Sequence, residues 1–241
     1  MARARRLPRE ERKQSIIDSA RRVFAASNYW KVSTADLAKA AGVSEPALYR
    51  YFPSKKQLFI STLRASAPKL IDIWQRIAAE VDDPIETLWN ISLSYYDHLK
   101  SRSAVMKLQF QALLEAGDPQ IQAALQRNFA SFVQFLREVL DDGKRRGLIR
   151  QEIDSTVVAW QLIGKGLTLD VVHLLGFDSQ ITRHKVEEWT TLFLDSLRRK
   201  EPGDRLQPVA GAIPYDHLPQ GPVAEPTTRL VQMALGIEEA R

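Results

Sequence analysis

Cysteine is absent from this chain of 241 residues. Its absence excludes a disulfide framework, a thiol nucleophile and a metal site with thiolate ligands, and it fits a reducing cytoplasm. No signal peptide is recognisable, because the basic segment 1–8 is not followed by an apolar stretch. No apolar run approaches the roughly 18 residues that a membrane-spanning helix needs. The sequence therefore predicts a cytoplasmic protein with no membrane partner.

Patterns that indicate catalysis are equally scarce. The four histidines show no metal-ligand spacing, and no Gly-x-Ser-x-Gly nucleophile elbow occurs. The segment Gly164-Lys165-Gly166 resembles part of a phosphate-binding loop, but the Walker spacing is missing and no strand pattern precedes it. We therefore expect no enzyme activity, no metal site and no cofactor.

Basic charge is concentrated at one end of the chain. Residues 1–70 carry 15 lysines and arginines against 5 acidic residues, whereas the remainder carries 19 basic and 24 acidic side chains. A basic head on a mildly acidic body favours contact between the head and a polyanion. The alternative is a basic solubilising tail, but here the charge lies within a patterned domain.

The apolar residues follow a helical period over the first 200 residues, with no convincing strand and no long repeat. This pattern predicts an all-α fold with an N-terminal three-helix helix-turn-helix domain over 9–69 and its motif at about 32–51. A larger helical domain for ligand binding and dimerisation is expected over 70–200. Besides the motif, the expected helices cover about 9–27, 54–81, 84–100, 105–117, 119–143, 154–175 and 180–200.

The composition changes after residue 200. Six of the twelve prolines lie in the segment 201–241, which we predict to be a Pro-rich extension ending in a short helix. The helical spacing of Leu230, Met233, Ala234 and Ile237 favours docking of this last helix over a free tail.

Capping residues mark the helix-turn-helix motif. Ser33 is expected to cap the first helix of the motif, with Asp36 completing a variant of the capping box. Gly42 is expected to form the turn with a positive φ. Ser44 is expected to cap a second, very short helix that carries Pro46 in its first turn.

The second helix has the surface of a helix that enters a major groove. Leu48 and Phe52 are expected to anchor it, which leaves small, polar and aromatic side chains on its exposed side. Arg50 suits a bidentate guanine contact or a phosphate, and Tyr49 suits a thymine methyl or a phosphate. Lys55 begins the next helix, where positive charge and free backbone N–H groups favour a phosphate.

The segment Ser33–Lys55, together with the pattern of the first helix, resembles the tetracycline-repressor-like (TetR) family over about residues 9–65. The resemblance implies an all-helical homodimer that binds double-stranded DNA and releases it when a small molecule binds the C-terminal domain. One departure is Asn28, where the family usually has glycine, although asparagine tolerates the left-handed conformation expected there. The DNA contacts that we expect are Ser33, Thr34, Ser44, Glu45, Pro46, Ala47, Tyr49, Arg50, Tyr51 and Lys55.

The chemistry of the body is inferred from its residues, since the resemblance there extends only to the layout of helices. Aromatic and aliphatic side chains favour a pocket for a small apolar or aromatic effector, with ordinary core packing as the alternative for each residue. The candidates are Trp74, Trp89, Tyr95, Tyr96, Phe110, Leu113, Trp160, Ile163 and Leu167, with His98, Asp170 and His173 as polar anchors.

The last two helices are candidates for the dimer interface. Their apolar residues occupy more than one face, so two helices from each subunit would form an isologous four-helix contact. The residues concerned are Val157, Val158, Trp160, Leu162, Leu169, Val172, Val186, Trp189, Phe193 and Leu197. Burial within one chain is the alternative.

Two functions fit these observations. The first is a sequence-specific transcriptional regulator, and in particular a repressor that an effector releases from a palindromic operator. The second is an architectural DNA-binding protein that has no small-molecule ligand and little sequence preference. The ratio of specific to non-specific binding at fixed salt separates them.

Overall fold

The computed structural model describes residues 8–198, which form ten α-helices. Within this range the only strand-like pairing is an isolated antiparallel bridge between Ile149 and Arg198. The predicted all-α class is confirmed, and the predicted extension 201–241 lies outside the described residues. The helices are α1 Arg9–Ala26, α2 Thr34–Ala41, α3 Glu45–Tyr51, α4 Lys55–Arg64, α5 Ser66–Glu80, α6 Pro84–Asp97, α7 Leu99–Leu114, α8 Pro119–Arg145, α9 Ser155–Leu174 and α10 Arg183–Leu197.

The turn between α2 and α3 has the capping chemistry expected from its sequence. The Ser33 hydroxyl accepts a hydrogen bond from the Asp36 N–H, and the Asp36 carboxylate accepts one from the Ser33 N–H. Gly42 adopts φ 63°, a left-handed conformation that glycine adopts without strain. The Ser44 hydroxyl accepts a hydrogen bond from the Ala47 N–H at the start of α3. The predicted caps at Ser33 and Ser44 and the predicted turn at Gly42 are therefore confirmed.

Aromatic side chains join α1 to α4. The ring of Phe59 lies 5.1 Å from that of Phe24 and 4.7 Å from that of Tyr29, measured between centroids. Leu37 from α2 and Leu48 from α3 are buried in the same hydrophobic core. This core also contains side chains of α7 and α8, so it does not end at the predicted domain boundary. These are Leu108, Ala112, Ile121, Ala124 and Leu125.

The end of α1 differs from the expected left-handed cap at Asn28. No residue other than glycine has a positive φ within 8–198, and the helix ends at Ser27 with φ −131°. The Asn28 side chain instead accepts a hydrogen bond from the Lys31 N–H at 2.9 Å. Asparagine offers this local side-chain bond as an alternative to the left-handed conformation, and here the side-chain bond forms.

The single helix expected over 54–81 is divided at Ala65 into α4 and α5. Pro68 explains the break. Proline has no N–H to donate to the carbonyl of Arg64, four residues earlier, and its ring clashes with that carbonyl in a continuous helix. The side chain of Ser66 donates to the Thr62 carbonyl at 3.0 Å across the break. The connection between head and body therefore contains a joint that the apolar pattern did not indicate.

The body is arranged around α8, the longest helix. Asp118 caps α8 and Asp83 caps α6, each with a proline at the first helical positions, as the Asp-Pro pairs predict. The body core comes mainly from α5, α6, α8, α9 and α10. At the end of α8, Gly143 lies against the Ile149 side chain so closely that a Cβ would come within 2.6 Å of the Ile149 Cδ1 atom.

Helix α9 is an exception to the expectation that no segment has spanning length. By length and composition alone, it is the one described helix that is apolar enough to cross a membrane. Core helices pass the same test, and α9 packs against α6, α7 and α8 in the described fold. It also carries two buried charged residues, Lys165 and Asp170.

Candidate DNA interface and effector cavity

Helix α3 presents a polar and aromatic face to solvent. Leu48 and Phe52 are buried and hold the helix against the head core. Pro46, Tyr49 and Arg50 are exposed, and 47% of Tyr49 is accessible. Arg50 forms no ion pair with any residue in 8–198. Its guanidinium is thus available to a ligand outside the chain.

Contacts between α2 and α3 involve two of the expected DNA-contacting residues. The Thr34 hydroxyl donates to the Glu45 carboxylate at 2.8 Å. This bond fixes the two helices of the motif relative to each other and occupies part of each side chain. Ser44 is exposed, whereas Ala47 and Tyr51 are half-buried.

Lys55 has a structural role that sequence reasoning did not indicate. Its ammonium donates to the carbonyls of Tyr29 and Val32 at 3.0 and 3.1 Å, and it lies 4.7 Å from the centre of the Tyr29 ring. These contacts hold the loop between α1 and α2 against α4. Two of its three ammonium protons are thereby donated within the chain. Two exposed lysines beside the motif, Lys31 and Lys39, were not among the predicted contacts.

A cavity of about 200 Å³ lies in the body, next to the α4–α5 joint. Four of the twelve predicted pocket residues line it: Trp74, Tyr95, Ile163 and Leu167. Side chains that the prediction did not include complete much of the apolar wall, among them Phe129, Phe132 and Leu136. The cavity is smaller than the 300–1,000 Å³ of most ligand pockets, so it suits a small or medium-sized molecule.

Eight predicted pocket residues lie outside the cavity wall. Trp89 and Phe110 are half-buried, and Leu113 and Trp160 are exposed, with Trp160 stacked on Phe129. The remaining four are occupied by contacts within the chain. The Tyr96 hydroxyl donates to the Ile181 carbonyl, His98 contacts the Ser94 carbonyl, Asp170 accepts from Tyr95, and His173 contacts Asp178.

Tyr95 connects three helices at the cavity. Its hydroxyl donates to the Asp170 carboxylate at 2.9 Å, and the Arg102 guanidinium lies 3.9 Å from the centre of its ring. The ring also packs on Gly166, where a Cβ would lie 3.2 Å from the tyrosine Cζ. Burial raises the pKa of the Tyr95 hydroxyl well above its usual value, so this group stays a hydrogen-bond donor.

Two buried charged groups of α9 lie close to this tyrosine. Burial raises the pKa of Asp170 to about 6, although Arg102 and the Tyr95 hydroxyl favour its ionised form. Burial lowers the pKa of Lys165 to about 8. The Lys165 ammonium donates to the Thr190 hydroxyl and lies 5.3 Å from the centre of the Trp189 ring.

A second charged cluster lies where the head meets the cavity. Asp18 of α1 forms ion pairs with Arg21, one turn further along α1, and with Lys69 of α5, the latter at 3.5 Å. Arg21 and Lys69 both line the cavity. The cluster therefore joins a helix of the DNA-binding head to a helix of the body at the cavity wall.

A helix-turn-helix head with an exposed reading helix, on a helical body with a cavity, defines a class of DNA-binding regulators. The model for the family described as "Bacterial regulatory proteins, tetR family" matches residues 16–62. The chain is 32% identical over 142 residues to the nucleoid occlusion factor SlmA of Aliivibrio fischeri, covering 56% of this chain and 69% of that protein. The chain belongs to the TetR family of DNA-binding transcriptional regulators.

Further similarities are more distant. The HTH-type transcriptional activator FasR of Mycolicibacterium smegmatis is 28% identical over 109 residues, which is 45% of this chain and only half of FasR. FadR of Bacillus subtilis in complex with stearoyl-CoA has a TM-score of 0.64 at 18% identity, over 76% of this chain and 95% of FadR. A regulator of Saccharomonospora viridis in complex with choline has a TM-score of 0.67 at 19% identity, over 80% of this chain and 100% of that regulator. At these identities the two structures show the fold alone.

The raised pKa of Asp170 predicts a pH-dependent cost to stability. The unfolded carboxyl ionises near its ordinary value of 3.8, whereas the folded carboxyl keeps its proton to about 6. The folded protein therefore holds more protons between these values, and this group lowers the free energy of unfolding as pH rises through the window. In urea unfolding, the free energy of unfolding of Asp170→Asn relative to the unsubstituted protein should increase as the pH is raised from 4 to 7.

Asp154→Asn is the matched control. Hydrogen bonds from the Thr156 and Val157 N–H groups lower the pKa of Asp154, so the stability that its carboxylate contributes is present above the unfolded value of 3.8 and is lost only as pH falls below it. The difference in the free energy of unfolding between Asp154→Asn and the unsubstituted protein should therefore stay nearly constant from pH 5 to 7, where that of Asp170→Asn changes. A pH-independent difference for Asp170→Asn would show that Asp170 titrates normally.

Proposed function

We propose that the protein is a sequence-specific regulator of transcription that binds a palindromic operator as a homodimer and is released by a small apolar effector. The DNA-binding part of this proposal rests on the exposed face of α3. Two buried anchors, Leu48 and Phe52, hold this helix on the head core, and Tyr49 and Arg50 project from it to solvent. Such a protein would act in the cytoplasm, where the DNA is. Repression is the proposed mode because occupying a promoter needs no further partner surface.

Two exposed side chains of α3, Tyr49 and Arg50, are suited to contacts with DNA. Arg50 carries a planar fork of donors that matches the O6 and N7 acceptors of guanine. Tyr49 offers an apolar ring for a thymine methyl and a hydroxyl for a phosphate. Ser33, Pro46 and the remaining predicted residues are proposed to position the helix, together with Lys31 and Lys39 through their charge.

A dimer interface on α9 and α10 would bring two such helices to one palindrome. These helices leave large apolar side chains exposed, including Val157, Trp160 and Leu192, of which Leu192 is 73% accessible. Exposed side chains of this size on adjacent helices are typical of a homodimer contact. Four residues predicted for the interface, Val158, Leu169, Val186 and Leu197, are instead buried within the chain.

The cavity supports control by an effector. Its wall is mainly aromatic and aliphatic, and it meets the head at the Asp18 cluster. A molecule that pushes on Lys69 or Arg21 changes the contact between α1 and α5. Because helix-turn-helix dimers need reading helices about 34–36 Å apart, a small tilt of the head is enough to favour release. The FadR complex with stearoyl-CoA is a precedent in this fold for a ligand with an apolar acyl chain.

An architectural role is the second candidate, and the similarity to a nucleoid occlusion factor favours it. A competition assay at fixed salt distinguishes the two functions. A regulator should prefer its selected operator to random DNA by 10³-fold or more. A ratio near one, unaffected by any cavity ligand, would favour the architectural role.

Replacing Arg50 tests the reading helix. Arg50→Ala should weaken binding to an operator selected from genomic fragments by about 1–3 kcal/mol, because a bidentate base contact is lost. Arg76→Ala removes the same charge from an exposed position on α5 and should leave binding unchanged. The measurement is fluorescence anisotropy at fixed salt. Equal effects of the two variants, or none, would contradict the assignment of Arg50.

Replacing Leu192 tests the dimer interface. Leu192→Glu should shift the protein from dimer to monomer in sedimentation velocity and reduce operator binding, because a charge would be buried at the contact. Leu114→Glu is the control, since Leu114 is 86% exposed at the end of α7 and lies outside the proposed interface. A Leu192→Glu protein that stays dimeric would exclude this face.

A further inference from the structure

We infer that the cavity binds an apolar acid and that the Arg102 guanidinium pairs with its single carboxylate. This inference rests on the proposed effector function and adds the class of the effector and the residue that recognises its head group. The ligand is thus a hydrocarbon or aromatic body that carries one negative charge. Arg102 was not among the residues that the sequence indicated.

The charges of the cavity wall have one sign. Four basic residues line the cavity, and no aspartate or glutamate of the described chain does so. Arg21 and Lys69 already share the carboxylate of Asp18. Arg102 and Lys165 have no carboxylate partner within residues 8–198. The wall therefore holds two cations whose charge nothing in the described chain pairs directly, which favours an anionic ligand over a neutral or cationic one.

The geometry of Arg102 leaves a donor for such an anion. The guanidinium lies on the face of the Tyr95 ring, at 3.9 Å from its centre, so the N–H groups point outward in the guanidinium plane. The Nη1 atom is buried and has no hydrogen-bond acceptor among the described residues. A buried arginine donor without an acceptor is costly, and a carboxylate oxygen would satisfy it with a charge-assisted bond.

Asp170 makes no direct ion pair with Arg102, although the charge of Arg102 lowers the pKa of the Asp170 carboxyl. Its Oδ2 atom accepts from the Tyr95 hydroxyl. Tyr95 thus lies between the two charged groups, with its ring under the guanidinium and its hydroxyl on the carboxylate. Asp170 does not line the cavity, and its other oxygen, Oδ1, is buried without a hydrogen-bond donor among the described residues. Asp170 orients Tyr95, and Tyr95 orients Arg102.

The apolar part of the cavity wall determines the chemistry of the ligand beyond its carboxylate. Trp74 and Phe132 are buried with ring centroids 5.5 Å apart, and Phe129 and Leu136 line the same cavity. A sugar or nucleotide would lose the hydration of its polar groups here without enough partners to replace it. An alkyl or aryl group would bury apolar surface at about 25 cal/mol per Å².

Three ligands with the same ten-carbon body test the head group: decanoate, 1-decanol and decylamine. Isothermal titration of the full chain at pH 7.5 should show decanoate binding at least tenfold more tightly than 1-decanol, with decylamine weakest. Arg102→Met should remove the preference for decanoate while 1-decanol binds as before. Arg102→Lys should retain part of the preference for decanoate, since lysine keeps the positive charge but lacks the planar fork of the guanidinium.

Lys69→Met is the matched control, because Lys69 is a basic residue of the same wall that already has a carboxylate partner. This variant should keep the preference for decanoate. Circular dichroism and urea unfolding without ligand confirm that each variant is folded. The inference would be overturned if the three ligands bound with equal affinity, if decylamine bound more tightly than decanoate, or if decanoate did not bind up to its solubility limit. It would also be overturned if the preference for decanoate were lost in Lys69→Met and kept in Arg102→Met.

The same samples separate this inference from the proposed function. If decanoate binds through Arg102 but leaves operator affinity unchanged, the inference holds and the effector role fails. If operator release occurs equally with decanoate and 1-decanol, the effector role holds and the carboxylate site is wrong.

Discussion

The hydrophobic core that joins the head to the body is the constraint on which the rest of the structure depends. A head of about 60 residues, here α1 to α4, buries too little apolar surface to be very stable alone. Here side chains of α7 and α8 complete its core, and Leu108 at its centre is fully buried. The head and the body thus share one core. A change in the packing of α7 or α8 must alter the packing of α1 and α4, because close-packed cores transmit small displacements.

Polar contacts reinforce this junction at the helix ends. The Gln111 side chain of α7 donates to the carbonyls of Phe24 and Ser27, where the last turn of α1 lacks partners. The Asn128 side chain of α8 donates in the same way to the Leu63 carbonyl near the end of α4. These bonds cap the head helices from the body. The cavity lies beside this junction, since Leu63 and Asn128 also line it.

Much of the head was predictable from the sequence because its signals are local. Ser33, Gly42 and Ser44 act within one or two turns of their own position, so their roles follow from residue type and spacing. Asn28 and the break at Ala65 were missed where two local tendencies compete. Asn28 satisfies a backbone N–H instead of turning left-handed, and Pro68 outweighs the apolar pattern that favoured one continuous helix.

The cavity was predictable only in part, for a different reason. Helical periodicity shows which face of a helix is buried but not whether that face meets a neighbour or a void. Trp74 and Trp89 have the same sequence signal, yet only Trp74 lines the cavity. Arg102 carries no signal at all, because its role depends on Tyr95, which lies on another helix. The same limit applies to Lys55, whose partners lie more than 20 residues away.

Native-state hydrogen exchange on a core variant tests the shared core most directly. Leu108→Ala removes a body side chain from the head core and should cost roughly 2–5 kcal/mol. We predict that protection falls in α1 and α4 as well as in α7. Leu140→Ala, an equally buried substitution in the separate body core, should leave α1 and α4 protected. A loss of protection confined to α7 and its body neighbours in Leu108→Ala would contradict the coupling of head and body.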